Sequence, residues 1–212
     1  MYLPKPFEET DPEALHGFIA AYPLGALVLH GPNGLDANHL PFEFEPGQGS
    51  GRLLAHVARA NPLWREAREG DEVLVIFRGP EGYISPGWYP GKAETHRVVP
   101  TWNYQVVHVH GRIAIRDDER FVRGLVARLT RTHESGTGAP PWKMSDAPAE
   151  YIDEMLQAIV GIEITVTRIT GKFKLGQNRE TRDREGAADA LHARGHTALA
   201  EAMRHSKERK KQ

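Results

Sequence analysis

Between Gly25 and Arg78 the chain turns back too often to be helical. Gly25 to His30 reads as a strand, Gly31-Pro32-Asn33-Gly34 is a turn, and Leu35 to Glu45 puts Leu40, Phe42 and Phe44 on one face. Gly51 to Val57 and the very apolar Asp71 to Arg78 continue the series. Thr101 to Arg116 adds a long strand, and Val160 to Ile169 adds a late one in which Ile162, Ile164 and Val166 alternate with Glu163, Thr165 and Thr167. Helical patterns fill the gaps. Asp11 is an N-cap before Pro12 and a helix to Ala21, Asn61-Pro62 opens a short helix through Glu69, and Asp117 to Thr132 is amphipathic through Phe121, Leu125 and Leu129. Pro148 to Ile159 and Glu185 to His205 complete the set, while His133 to Ala147 is a Gly-, Pro- and Ser-rich loop and Gly171 to Asn178 departs from the late strand. Strands in quick succession, one late strand and peripheral helices predict a mainly β (α+β) fold built on an antiparallel barrel.

The chain's 212 residues suit one well-buried domain. A net charge of −1 leaves no whole-surface attraction for nucleic acid or anionic lipid, so such a partner would need a local patch. Cysteine is absent, which removes disulfides, thiolate nucleophiles and Cys-bearing metal sites. The acidic start lacks the apolar core of a secretory signal and no apolar run has the length of a membrane span, so a cytoplasmic protein without membrane contact is expected.

Half of the Trp and Tyr residues fall between Tyr83 and Tyr104. Tyr83, Trp88, Tyr89, Trp102 and Tyr104 lie there beside Ser85, Lys92, Arg97, Thr101 and Asn103, in a frame of Pro and Gly. Flat apolar faces mixed with amides and hydroxyls suit a planar ligand with polar edges, because the rings bury area and the polar groups fix orientation. An aromatic hairpin packing on its own core fits the same residues.

Neither G-x-x-x-x-G-K-[ST] nor a G-x-G-x-x-G opening a helix occurs, so a P-loop or dinucleotide fold has no support. A barrel holding a phosphorylated planar cofactor would need side-chain cations instead. His56 and Arg59 lie at a strand end that runs into a helix start, where backbone N–H groups also favour an anion, although a packed His and a solvated Arg are the more usual explanation for such a pair.

The combination His39-Leu40-Pro41-Phe42, A-H-V-A-R-A-N-P at 55–62, Y-I-S-P-G-W-Y at 83–89, V-P-T-W-N-Y at 99–104 with Val107-His108, and K-F-K-L-G-Q-N-R at 172–179 resembles the PaiB-like FMN-binding proteins, often described as negative transcriptional regulators. The resemblance covers almost the whole chain except the extreme C-terminus. It implies a split β-barrel of the pyridoxamine phosphate oxidase type over 1–178, a helical extension with a basic tail over 179–212, and a homodimer with FMN near the subunit interface. It makes His56, Arg59 and Asn61 candidates for the phosphate and ribityl end, and Trp88, Tyr89, Thr101, Trp102 and Asn103 candidates for the wall around the ring. Lys174, Gln177 and Asn178 resemble the segment that closes over the cofactor. Gly176 stands where family members commonly have Ser.

Competing chemistries have less behind them. His108 and His110 share a strand face in an H-x-H pattern that can present two imidazoles to a metal, but no acid follows at short spacing, and no metal site is expected. Ser85 precedes Pro86 and sits in no G-x-S-x-G elbow, so no protein nucleophile is expected. Arg204, Lys207, Arg209, Lys210 and Lys211 against Glu208 could touch DNA phosphates, yet Glu185 to His205 shows no evident pair of helices with a recognition face. The expectation is a flavin-dependent redox sensor or modest oxidoreductase. A DNA-binding repressor with a structural or signalling flavin is the alternative, and a haem-binding split barrel the third, since eleven histidines could include an axial ligand.

Overall fold

The structure is a computed structural model that describes residues 1–212 except Gln48, Gly138, Ala139 and 207–212. In chain order the elements are β1 (Glu8–Glu9), α1 (Pro12–Ala21), β2 (Leu24–Gly31), β3 (Gly34–Pro41), β4 (Glu43–Glu45), β5 (Arg52–Ala58), α2 (Leu63–Glu66) and β6 (Glu72–Ile84). Then follow α3 (Lys92–Thr95), β7 (Thr101–Arg116), α4 (Glu119–Glu134), α5 (Ala149–Gln157), β8 (Ile159–Lys174), α6 (Thr181–His192) and α7 (Thr197–His205). The strands hydrogen-bond in the order β3-β2-β6-β7-β8-β5-β4, with β1 on β8, and the pairings β2 with β3 and β6, β5 with β4 and β8, and β1 with β8 are antiparallel.

The chain divides into two compact units, one made of Met1–Phe18, Arg78–Val107 and Thr170–Gln212, the other of Ile19–Phe77 and His108–Ile169. The second unit carries the rolled sheet. Its hydrogen-bonded path is open, yet β3 and β4, the two ends of that path, are joined in the chain by Phe42 alone. A single residue cannot span a flat sheet, so the sheet curls until its ends meet, with no ladder along the seam. Leu27, Phe42, Leu53, Phe77 and Ile164 fill the interior. At Gly111 a Cβ would stand 2.4 Å from Ile164 Cγ2 and 2.6 Å from the Thr165 carbonyl, so only glycine lets β7 and β8 approach this closely. Buried Glu163 on β8 is held by Arg52 and Arg116, each at 2.9 Å.

The first unit has a separate core in which Ile84, Tyr89 and Leu175 pack with Leu191, Leu199 and Met203. The C-terminal helices therefore share a core with the aromatic stretch. The single helix expected over Glu185 to His205 is two. α6 begins four residues earlier, at Thr181, and ends in a Schellman motif, with His196 N–H donating to Leu191 C=O, Gly195 N–H to His192 C=O, and Gly195 at φ 84°.

Three further expectations shift. The run Leu35 to Glu45 breaks at Phe42, where its N–H turns to the Pro23 carbonyl. Strand β6 continues past Gly79-Pro80 to Ile84, and β8 continues past Gly171 to Lys174 because Glu8 and Glu9 pair with Lys172 and Gly171. The Asn61–Glu69 helix contracts to the single turn Leu63–Glu66.

Candidate functional site

In the first unit, strand parity sorts the aromatic stretch into two populations. Along β7, Asn103 turns inward and is 3% exposed, with Nδ2 3.4 Å from Met203 Sδ. Trp102, one residue earlier, turns outward and is 54% exposed. It meets the exposed ring of Tyr83 edge-on, with centroids 6.4 Å apart. Lys174 Nζ, from the end of β8, donates to Thr101 Oγ1 and, at 2.5 Å, to the Trp102 carbonyl. Burial lowers the Lys174 pKa, and Lys172 and Arg179 lower it further. Lys172 Nζ donates to the Tyr2 carbonyl at 3.0 Å and stands 5.5 Å from the centroid of the Tyr104 ring. Lys174 thus joins the Thr101 hydroxyl to the backbone that carries the exposed Trp102.

Tyr89, Asn103 and Gln177 belong to the interior. Tyr89 is 5% exposed in the core shared with α6 and α7, under the Arg179 guanidinium at 5.1 Å, and burial raises its phenol pKa. Trp88 is partly buried against the same core with Arg194 stacked at 4.7 Å. The Gln177 amide pins its own segment, accepting from Leu175 N–H at 2.8 Å and donating to the Phe173 carbonyl. Asn178 is exposed. The aromatic stretch and the late segment, 70 residues and more apart in sequence, are thereby neighbours in this unit.

His56, Arg59 and Asn61 lie in the second unit. Burial lowers the His56 pKa, and its Nδ1 is sealed from solvent with no partner. The Arg59 guanidinium spends four of its five N–H donors inside the protein. Nη1 and Nη2 grip the Asp117 carboxylate at 2.9 and 2.5 Å, Nε donates to the Gln157 carbonyl at 2.7 Å, and Nη2 also reaches the Ile159 carbonyl at 3.2 Å. That fork closes β5 onto the α5–β8 junction, and it holds the Asp117 carboxyl below its ordinary range. Asn61 bonds Asn38 Oδ1 at 2.7 Å and caps Leu63 N–H at 2.9 Å. An anion reaching Arg59 would have to displace a carboxylate.

Sequence reasoning missed Arg184. It is 7% exposed on α6, and its Nε and Nη1 are sealed without a partner. A charged residue on a helix reads as solvated, and only the packing of α6 against the unit reveals otherwise.

A group of three metal-ligating side chains does not occur among the described residues. His110 Nε2 lies 3.0 Å from Arg168 Nη2, and burial lowers the pKa of both His108 and His110. Arg204 pairs with Asp189 at 2.6 Å, and the basic positions from Lys207 onward lie outside the described residues. Among the described residues no helix is long and apolar enough to cross a membrane.

An FMN-binding site needs flat apolar area, polar groups for the ring edge and cations for the phosphate. The first unit offers Trp102 and Tyr83, then Thr101 and Asn178, then Lys174. The donor set fits the group.

Residues 1–168 match the family model described as "Putative FMN-binding domain". The chain is 33% identical over 184 residues to "Protease synthase and sporulation protein PAI 2" of Bacillus subtilis, covering 86% of this chain and 85% of that one. It is 34% identical over 223 residues to an uncharacterized protein of Emericella nidulans, covering 88% of each. The flavocytochrome Anf3 from Azotobacter vinelandii shares the fold, with a TM-score of 0.57 at 14% identity over 80% of this chain and 70% of that chain. A FAD and heme binding protein from Mycobacterium smegmatis also shares it, with a TM-score of 0.55 at 16% identity over 80% and 74%. Matched over most of its length by that model and one third identical to the Bacillus protein, the chain belongs to the PaiB-like family of FMN-binding domains.

Proposed function

We propose that this protein holds FMN against the outward face formed by Tyr83, Thr101, Trp102 and Lys174, as a homodimer, and uses it for redox sensing or a modest flavin-dependent oxidoreductase activity. The single observation that carries the proposal is Lys174 bridging to Thr101 Oγ1 and the Trp102 carbonyl, which anchors the backbone from which an exposed indole projects in a chain of this family. The exposed indole of Trp102, edge-on to the exposed phenol of Tyr83, offers apolar area for a ligand or partner to cover.

When bound, FMN supplies the electron transfer. The chain's residues bind and orient. The indole of Trp102 and the phenol of Tyr83 provide area for a planar ring, and Thr101 and Asn178 offer hydrogen bonds to its polar edge. Lys174 supplies positive charge to whatever negative charge the ligand carries or develops, and its held-down pKa makes that charge easier to lose as pH rises. A partner subunit would complete the cover and exclude water.

Two measurements test the reading. An absorption spectrum of freshly purified protein is expected to show flavin bands, directly or after incubation with FMN; haem bands in their place would overturn it. Light scattering is expected to give a dimer, and a monomer at micromolar concentration with FMN present would remove the homodimer from the account.

A further inference from the structure

The Gly-, Pro- and Ser-rich loop after α4 folds back to enclose a concavity that the flavin reading does not use. It measures about 390 Å3, within the range of small-molecule pockets, and lies between Ala127, Thr130, Arg131 and Ser135 at the end of α4 and the loop residues Pro141 to Ser145. These residues all belong to the second unit, whereas Trp102 belongs to the first. The loop wall is fixed at two points. Glu134 Oε2, in the last turn of α4, accepts from Trp142 N–H at 3.0 Å, and Met144 packs against the core of Val122, Ile152 and Leu156. Trp142 nevertheless remains 42% exposed. Two cations, Arg131 and Lys143, line the concavity, and among the described residues no carboxylate does. Neither cation has an ion pair among the described residues. The acids nearest in the chain serve the backbone, Glu134 at Trp142 and Asp146 by accepting from Lys143 N–H at 3.0 Å. Bare carbonyls at a helix C-terminus disfavour anions, but Thr132 C=O accepts from Ser135 Oγ at 2.7 Å and Glu134 C=O from Thr137 N–H at 3.2 Å. The side-chain cations therefore set the sign of the site.

We propose that this concavity binds a small aryl carboxylate, with its ring against Trp142 and Met144 and its carboxylate held by Arg131 and Lys143. It is a second ligand site, and it stands whether or not the flavin reading does. An indole face and a thioether both favour an aromatic body, and a guanidinium fork matches the two oxygens of a carboxylate while an ammonium adds a point charge. A cationic ligand with the same ring would meet two like charges with no carboxylate among the described lining residues to offset them.

The test titrates 2-naphthoate, 2-naphthamide and 2-naphthylmethylammonium, which share a ring and differ in charge, into the full-length protein by calorimetry, with and without excess FMN. The wild type is expected to bind naphthoate saturably, naphthamide more weakly and the ammonium most weakly, and FMN to leave the naphthoate affinity unchanged. Arg131→Gln is expected to weaken naphthoate by about tenfold, the low end for a charge-assisted contact, and to leave naphthamide unmoved. Arg131→Lys should recover part of that loss. Trp142→Ala should weaken naphthoate and naphthamide alike, and Trp102→Ala neither. No naphthoate binding at millimolar concentration, equal affinity for the three probes, or equal effects of Arg131→Gln on naphthoate and naphthamide would overturn the proposal. So would competition by FMN, or a loss of naphthoate in Trp102→Ala and not in Trp142→Ala, because either places the probe at the ring site. Arg131 is exposed, so its variants are expected to keep the wild-type melting temperature, and should Trp142→Ala fail to fold, the naphthoate-to-naphthamide ratio in Arg131→Gln decides. A protein that binds no FMN refutes the flavin reading, while the naphthyl series without FMN still decides this one.

Discussion

Lys174 at the end of β8 ties down Trp102 at the start of β7 by donating to its backbone carbonyl at 2.5 Å, so the most exposed large ring of the family's aromatic stretch hangs from a fixed backbone. This pair sets the geometry of the proposed ring site.

Lys174→Met should remove the tether while keeping most of the stem's packing. Affinity for FMN and riboflavin is expected to fall together, by about 1–2 kcal/mol, since the loss is one of ring positioning. Isothermal titration with both flavins checks it. A selective loss for FMN would instead place the phosphate beside Lys174.

Trp102→Ala and Tyr89→Ala should separate surface from core. The first removes an exposed ring and is expected to leave the melting temperature nearly unchanged while weakening flavin by about 1–3 kcal/mol. The second empties a buried site in the core under α6 and α7 and should cost about 3–5 kcal/mol of stability. Chemical denaturation paired with flavin titration distinguishes the two.

Much of this division is readable in the sequence, and its limits have physical causes. The span Thr101 to Arg116 is anticipated to the residue, because a run rich in aromatic and β-branched residues between Pro100 and Asp117 marks a strand. The continuation of β8 to Lys174 is not legible locally, since Gly171 reads as a terminator and its ladder partner, Glu9, is more than 160 residues away. The same holds for β6, where Gly79-Pro80 reads as a stop. At the candidate site the residue types are visible but their faces are not. Tyr89 and Trp102 read alike, and only the packing of α6 and α7 decides that one is core and the other surface. Arg59 shows the limit from the other side, because nothing near it in sequence reveals that Asp117 already occupies its fork.

Acid should loosen the second unit through His56. Burial sets its folded pKa below the ordinary 6.5, so the neutral ring is the folded form and the unfolded chain takes up the proton first. Stability is therefore expected to fall as pH drops below about 6.5, levelling once pH passes beneath the folded value. His56→Gln should flatten that part of the profile, with His108 and His110, shifted the same way, supplying the remainder. Urea midpoints between pH 5 and 7.5 measure it. A wild-type midpoint that rises on acidification would contradict the assignment.

Gly195→Ala should destabilise the C-terminal pair. At φ 84° a Cβ is strained, although nothing stands within 4 Å of it, so the cost is conformational and about 1 kcal/mol. Thermal unfolding reads it, and the corresponding change at Gly17, in α1 with open space and ordinary helical backbone, should be neutral or slightly stabilising.

The central claim, that this chain is an FMN-binding protein whose ring site is the Trp102 face, is tested most directly by titrating FMN into wild type and Trp102→Ala under identical conditions and following flavin fluorescence. The account predicts saturable quenching by the wild type with one flavin per chain, and a weaker, poorly quenched complex with Trp102→Ala of undiminished thermal stability. Wild-type protein that leaves FMN fluorescence unchanged at protein concentrations well above that of the flavin, or a Trp102→Ala variant that binds and quenches like the wild type, would contradict it.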